Sequence, residues 1–367
     1  MFYISYLISS FVGWMYGYFF VYDPGGVGGC PAGFDWAGGE EAAGGGRPFF
    51  KDGLAPQLGQ ASGAQVEYFF DVEPDPGAVL AAKGAAVVKR FGPDTVVALG
   101  GGSAMDCAKA MIFFAGSGAN LVAIPTTSGS GSEVTDFAVL THEGIKHPLV
   151  DPKLRPQMAI LDGTLVEKLP PSLVADGGFD ALTHALEAFT ATDANAFTDA
   201  LAQGAFSEIL GSLEASFRGN LAARGRIHQA STMAGLAFTQ AGLGLCHALS
   251  HALGGAYHLP HGRLNAMVLP AVMECNAQAC GGKYAILARR AGLEGRSDTM
   301  AVRSLRNTLV SLRRQLGLPG SLEEAGVRGQ VTQELISAVL ADPCCRTNPL
   351  PVTAPLVGQL LQKVLRG

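Results

Sequence analysis

The sequence predicts a two-domain protein, with an α/β amino-terminal domain built on a parallel sheet and an all-α carboxyl-terminal domain. Short β-branched runs alternate with helical patterns up to the proline pair at residues 170 and 171, which indicates βαβ units. Beyond that pair the apolar spacing is helical to the end of the chain. We therefore divide the chain into an irregular or aberrant amino terminus at 1–46, an α/β domain at 47–170 and a helical domain at 171–367.

The composition is that of an ordered protein without a polyanionic partner. Of the 367 residues, 48% are hydrophobic and 16% charged, and the net charge is −5. Because no long run of Lys or Arg occurs, we expect neither nucleic acid nor an anionic membrane surface as a partner. Seven cysteines without a CxxC pair predict reduced thiols, and hence a cytoplasmic protein.

The amino terminus fits neither predicted domain. Residues 1–22 contain no charged side chain and are long enough to span a bilayer, but they lack the basic region and cleavage site of a signal peptide. Residues 23–46 are dominated by glycine, as in a flexible linker. Two interpretations are open, a membrane or targeting anchor and an aberrant gene start, and we expect no membrane association.

The α/β domain follows from its apolar runs. Residues 65–70 are predicted as a strand and 77–90 as a helix. Residues 94–99 and 121–124 are compact β-branched or apolar runs, typical of buried parallel strands, and 158–161 is the last predicted strand.

A glycine turn, Gly100–Gly101–Gly102–Ser103, follows the strand at 94–99 and precedes a helix that carries Asp106. Glycine lets the backbone approach a phosphate closely, and a helix amino terminus offers unpaired N–H groups and the positive end of a dipole. Ser103 is expected both to cap the helix and to contact a phosphate. A plain tight turn is the alternative, since the motif is neither GxGxxG nor a P-loop.

A second loop, at residues 125–135, follows the strand at 121–124 and is rich in hydroxyls and glycine. Such a loop at a strand end is suited to donate hydrogen bonds to a ligand, although a solvated loop has the same composition. Lys146 lies in a turn-rich segment expected near the same edge of the sheet, and a surface lysine is the alternative there.

The helical domain contains a histidine cluster between residues 243 and 265. It holds His247, His251, His258 and His261, half of the eight histidines in the chain. His247 and His251 are four apart, so they share one helical face, and the glycines at 254 and 255 with the following proline are expected to end that helix. His261 must then approach from a following turn or a second helix. Hydrogen-bonded core histidines are the alternative.

Asp180 and His184 are also four apart on a predicted helix. Alone, an Asp and a His at this spacing are more often a hydrogen-bonded pair than two metal ligands. Together with His247 and His261 they make one carboxylate and three imidazoles, a set that suits Fe²⁺ or Zn²⁺ rather than Mg²⁺ or Ca²⁺. His251 and His258 are left for support of the ligands or for proton transfer.

Four segments together resemble the iron-containing (group III) alcohol dehydrogenases. These are ALGGGSAMDCAKA (98–110), AIPTTSGSGSEVT (123–135), GGFDALTHALEAF (177–189) and CHALSHALGGAYHLPHGRLNA (246–266). The resemblance extends from about residue 49 to the carboxyl end. It is greatest to the short-chain primary alcohol dehydrogenases that include propanol dehydrogenases of diol and ethanolamine utilisation. It implies a Rossmann-like dinucleotide-binding domain followed by a helical metal-binding domain, an architecture shared with dehydroquinate synthase.

The resemblance assigns roles to particular residues. The metal ligands of the family fall on Asp180, His184, His247 and His261, and a histidine near the metal and nicotinamide falls on His251, a proton-relay candidate. The cofactor contacts fall on Gly101, Gly102, Ser103, Asp106, Thr126, Thr127, Ser130, Thr135 and Lys146.

The implied activity is interconversion of short-chain primary alcohols and aldehydes, with Fe²⁺ (or Zn²⁺) and NAD (or NADP). The resemblance further implies a homo-oligomer, a dimer, inside the cytoplasm or a bacterial microcompartment. One departure concerns the first strand of the family, which ends in an acidic residue at the adenosine ribose. The matching place here is Gly46 or Arg47, with no strand upstream, so a literal interpretation favours NADP. We prefer the interpretation that residues 1–46 come from an aberrant gene start, and we therefore expect NAD as the cofactor.

Two other functions are open. One is a dehydroquinate-synthase-like lyase, which shares the fold and uses both NAD and a metal. It needs several Lys or Arg residues for its phosphorylated substrate, and few lie near the predicted ligands. The other is a catalytically impaired paralogue with a defective cofactor domain, suggested by the missing first strand.

Overall fold

The computed structural model describes residues 17–22, 55–62, 65–142 and 145–366. Contacts divide the chain into two compact units, the first comprising residues up to Thr127 together with Ser132–Leu173. The second comprises Ser128–Gly131 and Val174–Gly367. The expected linker at 23–46 and the place of Arg47 lie outside the described residues.

The first unit is an α/β structure, as the sequence predicts. Its five-stranded sheet is parallel, with the strand order β2–β1–β3–β4–β7. The strands are β1 (Gly17–Tyr22), β2 (Gln65–Phe69), β3 (Thr95–Gly100), β4 (Asn120–Pro125) and β7 (Met158–Ala159). An antiparallel hairpin is formed by β5 (Phe137–His142) and β6 (Ile145–Val150). The helices are α1 (Ala55–Ser62), α2 (Ala78–Phe91) and α3 (Gly102–Ala115).

The centre of this sheet is apolar on both faces, as a parallel sheet covered by helices requires. Every residue of β3 is buried. Val96 and Ala98 pack with apolar side chains of α2 and α3, while Val97 and Leu99 pack with Ala55 of α1 on the opposite face. The alternation of side chains along the strand therefore explains why β3 carries no polar residue after Thr95.

Strand β1 corrects the expectation that no strand precedes residue 49. It pairs with both neighbours, Tyr18 lying opposite Val66 of β2 and Thr95 of β3. The last six residues of the uncharged run at 1–22 are thus a parallel strand with a neighbour on each side, for which aromatic and β-branched residues are typical. No helix among the described residues is long and apolar enough to cross a membrane.

The second unit is helical, as predicted. Its helices are α4 (Pro171–Thr190), α5 (Ala196–Phe217), α6 (Leu221–Ala241), α7 (Leu245–Tyr257), α8 (His261–Arg290), α9 (Asp298–Gln315), α10 (Gln333–Ala341) and α11 (Ala354–Arg366). Local signals set several helix ends. Asn195, for example, forms a reciprocal capping box with Thr198 at the start of α5.

The short connection between α7 and α8 departs from the sequence interpretation in one respect. The glycines at 254 and 255 do not end α7, which continues to Tyr257. His258 ends it in the left-handed conformation, with φ of 53°. His261 is then the first residue of α8, so of the two predicted possibilities, a turn or a second helix, the structure has the helix.

Candidate metal centre and cofactor turns

Three helix segments of the second unit bring one carboxylate and three imidazoles together. Asp180 and His184 lie on α4, His247 on α7 and His261 at the start of α8. Oδ1 of Asp180 lies 3.4 Å from Nε2 of His261, 3.7 Å from Nε2 of His247 and 3.8 Å from Nε2 of His184. All four side chains point at one small volume.

The four donors are not equally close. The ligand atoms of Asp180, His247 and His261 lie within 4.8 Å of one another. The ring of His184 stacks on that of His247, with centroids 4.5 Å apart, and its Nε2 is near Asp180 but outside the tighter trio.

Hydrogen bonds fix which nitrogen of each buried imidazole faces the centre. Nδ1 of His247 lies 2.7 Å from Oε2 of Glu187, and Nδ1 of His184 lies 3.2 Å from the carbonyl oxygen of Gly129. When Nδ1–H donates in this way, Nε2 keeps its lone pair for a cation. The sequence analysis missed both partners, although Glu187 lies on the same helix as Asp180 and His184.

Glu187 also holds the start of α7. Its carboxylate accepts hydrogen bonds from the backbone N–H groups of Gly244 at 3.0 Å and Cys246 at 2.7 Å. A negative charge at a helix amino terminus is stabilising, because the first N–H groups have no partner within the helix. The same side chain therefore positions the helix and orients the candidate ligand His247.

Close backbone approaches at two glycines help to position His261 and His184. A Cβ on Gly262 would overlap the carbonyl group of Asp176 and lie 3.1 Å from Cβ of Asp180, so only glycine lets α8 begin against α4. A Cβ on Gly177 would lie 2.6 Å from the carbonyl oxygen of Ser128. That contact holds the segment carrying the Gly129 carbonyl, which orients His184.

Asn265 lies at the middle of the ligand set and is fully buried. Its Nδ2 donates to Oδ1 of Asp180 at 2.9 Å and lies 3.3 Å from Nε2 of His261 and 3.4 Å from Nε2 of His247. The carboxylate of Asp180 and the ring nitrogens of His247 and His261 thus surround this one amide. Convergent acceptors of this kind fit a cation, and the mixed N and O donors fit Fe²⁺ or Zn²⁺.

The electrostatics agree with a cation site. Burial lowers the pKa of His184 to about 4 and that of His261 well below its ordinary value, so both are neutral and able to bind a metal. Burial also disfavours protonation of His247, but hydrogen bonds to Asp180 and Glu187 outweigh it and raise the pKa to about 9. Burial raises the pKa of Asp180, yet the surrounding histidines bring it well below its usual range.

His251 lies beside this centre, on the next turn of α7. Its ring stacks on that of His261, with centroids 5.1 Å apart, and its Nδ1 lies 2.8 Å from Oδ2 of Asp342. About a third of the side chain is exposed. A partly exposed imidazole next to the centre is suited to exchange protons with water. His258, by contrast, is exposed at the end of α7 and has no place in the cluster.

The first unit contains the glycine turn, and α3 begins at Gly102 with Gly101 as its cap residue. Ser103 is therefore in the first turn and is not the cap that the sequence suggested. A Cβ on Gly101 would lie 3.2 Å from Oγ1 of Thr127, and the N–H of Thr126 donates to the carbonyl oxygen of Gly100 at 2.8 Å. The glycine turn and the start of the hydroxyl loop are thus neighbours.

A buried polar network lies behind these turns. Asp106 accepts from Oγ of Ser132 at 2.6 Å and from the N–H of Val139 at 3.0 Å. Lys109, which is fully buried, donates to Oγ of Ser132, Oγ1 of Thr135 and the carbonyl oxygen of Phe137, at 2.8 to 3.0 Å. The network ties α3 to the hydroxyl loop. Cofactor contacts of Asp106, Ser130 and Thr135 stay predictions.

Lys146 lies on strand β6 rather than in a turn. Its ammonium group lies 2.6 Å from Oδ1 of Asp75. Proline is typical of turns, but it is tolerated in an edge strand, and Pro148 lies in β6 of the two-stranded β5–β6 hairpin. This explains why a turn-rich segment forms a strand. Contact of Lys146 with a cofactor stays a prediction.

Comparison with known proteins gives the same family over both units. The profile of "Iron-containing alcohol dehydrogenase" matches residues 45–163, and that of "Fe-containing alcohol dehydrogenase family, C-terminal" matches residues 174–365. The two matches together cover most of the chain.

Individual relatives are similar over nearly the same length. The 1-propanol dehydrogenase PduQ of Citrobacter freundii is 42% identical over 317 residues, which cover 82% of this chain and 85% of the relative. The NADPH-dependent butanol dehydrogenase of Clostridium saccharobutylicum is 36% identical, over 87% and 88% of the two chains. The solved structure of an iron-containing alcohol dehydrogenase from Thermococcus thioreducens superposes with a TM-score of 0.84 at 29% identity, covering 99% of this chain and 96% of that one.

Proposed function

The chain belongs to the iron-containing alcohol dehydrogenase family, and we propose that it interconverts short-chain primary alcohols and aldehydes with a nicotinamide as the hydride carrier. The observation that carries this proposal is the convergence of Asp180, His247 and His261. The relatives named for propanol and butanol support a short aliphatic substrate.

We propose that Asp180, His184, His247 and His261 bind the metal, with Fe²⁺ preferred because of the family and Zn²⁺ as the alternative. When bound, the ion supplies Lewis-acid polarisation of the alcohol or aldehyde oxygen. Glu187 and the Gly129 carbonyl keep two of the imidazoles in the tautomer that presents Nε2. The burial of three of the four side chains excludes water from around the reacting group.

We propose that His251 transfers the proton between substrate and water. Its partial exposure and its stacking on His261 support this role, since the ring lies beside a candidate ligand and is also accessible to solvent. Asp342 holds the ring by accepting from Nδ1. His251 is thus the catalytic acid–base group of the proposal.

For the nicotinamide we propose the pyrophosphate turn Gly101–Gly102–Ser103 and the loop residues Thr126, Thr127, Ser130 and Thr135, with Asp106 and Lys146 beside them. The amino terminus of α3 favours the negative charge of a diphosphate, and Gly101 leaves room for it. These positions are supported by the adjacency of Gly101 and Thr127 within the first unit.

We propose NAD rather than NADP. Because β1 ends at Tyr22, the residue that follows this strand in the sequence is Asp23, not Gly46 or Arg47. In the family that the chain resembles, the acidic residue that contacts the adenosine ribose follows the first strand, and a carboxylate at the ribose disfavours a 2′-phosphate. An impaired cofactor domain was suggested by the missing first strand, and β1 provides that strand. The family assignment disfavours the dehydroquinate-synthase-like lyase.

Two broader features are proposed from the resemblance to the diol and ethanolamine utilisation branch. One is a homodimer, and the other is association with a bacterial microcompartment in the cytoplasm. Light scattering on the purified protein tests the first, and fractionation of the native host tests the second.

The decisive experiment is anaerobic purification with metal analysis, followed by kinetics on ethanol, 1-propanol, 1-butanol and 1,2-propanediol with NAD and with NADP. We expect one Fe²⁺ per chain and the highest kcat/KM with NAD and a short primary alcohol. The His247→Ala variant should lose metal and turnover together, whereas His258→Ala, at the exposed end of the same helix, should lose neither. Full iron content and full activity in His247→Ala would exclude the proposed centre.

A further inference from the structure

A second group of metal-binding side chains lies beside the proposed centre and includes none of its four ligands. It consists of His251 on α7, Asp342 at the end of α10 and Cys344 in the short 3₁₀ turn Pro343–Thr347. The ligand atoms of these three residues lie within 4.8 Å of one another, and all three side chains are partly exposed. The side chains of His251 and Asp342 are 32% and 12% exposed, so the group lies at the edge of the core.

The backbone holds two of these residues in place. Oδ1 of Asp342 accepts from the N–H of Cys344 at 2.8 Å, which caps the turn, while Oδ2 accepts from Nδ1 of His251 at 2.8 Å. The carboxylate thus bridges a thiol-bearing residue and an imidazole. Two nitrogen or oxygen ligands of a tetrahedral zinc ion lie about 3.3 Å apart, so His251 and Asp342 need to separate by only about half an ångström to bind one.

The donor types select the ion. Imidazole, carboxylate and thiolate form a set that Zn²⁺ binds well and that Mg²⁺ and Ca²⁺, which prefer oxygen, bind poorly. Three protein ligands leave a fourth tetrahedral position for water. The sulfur donor also distinguishes this group from the proposed centre, where the donor atoms are only nitrogen and oxygen.

We propose that His251, Asp342 and Cys344 form a second divalent-metal site that prefers Zn²⁺, and that its occupation inhibits the enzyme by taking His251 out of proton transfer. On binding, Cys344 releases its thiol proton to water and coordinates as the thiolate. The inhibition rests on the proposed function of His251, whereas the binding does not.

Binding is tested with Co²⁺ added to the iron-loaded protein under anaerobic conditions. A thiolate ligand gives Co²⁺ an intense charge-transfer absorption in the near ultraviolet, which nitrogen and oxygen ligands do not. We expect this band to saturate at one equivalent and to disappear on addition of Zn²⁺. No band in the wild-type protein would overturn the site.

Cys344→Ser and Cys345→Ser are the matched variants. Sγ of Cys345 lies 3.1 Å from the carbonyl oxygen of Val339, and this thiol is outside the group. The band should be absent in Cys344→Ser and retained in Cys345→Ser, with unchanged thermal unfolding and iron content in both. A band that survives Cys344→Ser, or that is lost only in Cys345→Ser, would assign the thiolate to another cysteine and overturn the proposal.

Inhibition is tested by zinc titration of alcohol oxidation. The concentration of Zn²⁺ that halves activity should rise about 100-fold in Cys344→Ser and stay unchanged in Cys345→Ser, since loss of one ligand weakens a metal site at least as much as loss of a supporting hydrogen bond. Zinc that binds without lowering activity would overturn the inhibitory role alone. Absence of dehydrogenase activity would count against the proposed function, while the cobalt band would still test the site.

Discussion

Nδ1 of His247 lies 2.7 Å from Oε2 of Glu187, and the two side chains are almost completely buried. The carboxylate fixes the imidazole tautomer, raises its basicity and binds the first N–H groups of α7. The tautomer of the proposed ligand His247 and the start of its helix therefore both depend on one side chain from α4.

Glu187→Gln is predicted to weaken metal binding. The amide keeps the shape of the side chain but loses its charge and one of its acceptor atoms, so we expect about a 10- to 100-fold loss of metal affinity. Because the four ligands remain, activity should recover substantially at saturating Fe²⁺. Competition with a metal chelator measures the affinity. Glu208→Gln, an exposed residue of α5 paired with Arg226, is the control and should behave as wild type.

Gly177→Ala is predicted to destabilise the protein and loosen the orientation of His184. A Cβ at this position would meet the carbonyl oxygen of Ser128, so α4 and the segment 128–131 must separate. We expect a loss of about 1–3 kcal/mol in the free energy of unfolding, measured in urea, with weaker metal retention.

Gly211→Ala on α5 is the matched control, since no atom lies within 4 Å of its added Cβ. Alanine is favoured over glycine within a helix by up to about 1 kcal/mol, so this variant should be as stable as wild type or more so. Equal stability of Gly177→Ala and Gly211→Ala would show that the close approach at Ser128 does not matter.

Lys109 is predicted to give the protein a distinctive pH dependence in the alkaline range. Burial lowers the pKa of its ammonium group from an ordinary 10.5 to about 8, against the opposing effect of Asp106. Between these values the unfolded chain holds a proton that the folded protein has lost, so the free energy of unfolding rises with pH. The full contribution is about 3 kcal/mol, present above the unfolded pKa and lost as pH falls towards the folded pKa.

Lys109→Met should remove this rise. Urea unfolding from pH 8 to 10.5 would then give a flatter profile than that of wild type. Lys83→Met, which removes an exposed partner of Asp71, should keep the wild-type slope. Identical slopes for wild type and Lys109→Met would mean that Lys109 stays charged throughout. Loss of three hydrogen bonds should also destabilise Lys109→Met at neutral pH.

Asp23→Ser is predicted to weaken the preference for NAD over NADP. A charged hydrogen bond to the ribose contributes about 1.5–3 kcal/mol, and its removal also ends repulsion of a 2′-phosphate. The ratio of kcat/KM values for the two nicotinamides should therefore fall about 10- to 100-fold. If the ratio were unchanged in Asp23→Ser but changed in Arg47→Ser, then position 47, and not position 23, would contact the adenosine ribose.

Much of the fold was predictable because its signals are local. The buried strand at β3, the glycine turn after it and the Asp180 and His184 pair on one helical face all follow from residue types at fixed spacings. Strand β1 was missed because an uncharged aromatic run has the same composition in a central strand and in a bilayer span. Only its pairing with β2 and β3 distinguishes the two.

The parts of the site that were missed depend on contacts between distant residues. Glu187 is far in sequence from His247, and Asp342 is far from His251, so no spacing rule connects either pair. Gly129 acts through a backbone carbonyl, which any residue type could provide. Asn265 lies four residues after His261 on α8, a spacing that predicts a shared helical face. The spacing alone does not indicate that an amide lies among candidate metal ligands.

Asn265→Ala is predicted to destabilise the metal-free protein more than the metal-bound protein. Without metal, the amide donates to Asp180 and lies beside His247 and His261, so its loss leaves the buried carboxylate without that donor. An unsatisfied buried group costs about 1–3 kcal/mol, and we expect the metal-free variant to lose stability by that amount. A bound cation interacts with the same acceptors, so the metal-bound variant should lose less.

The rise in Tm on addition of Fe²⁺ under anaerobic conditions should therefore be larger in Asn265→Ala than in wild type. Asn276→Ala is the control, because Asn276 is similarly buried but pairs with Asn348 rather than with any of the four candidate ligands. It should lower Tm equally with and without metal. If the two variants responded alike to Fe²⁺, the amide of Asn265 would be an ordinary core hydrogen bond, and the acceptors around it would not be those that bind the ion.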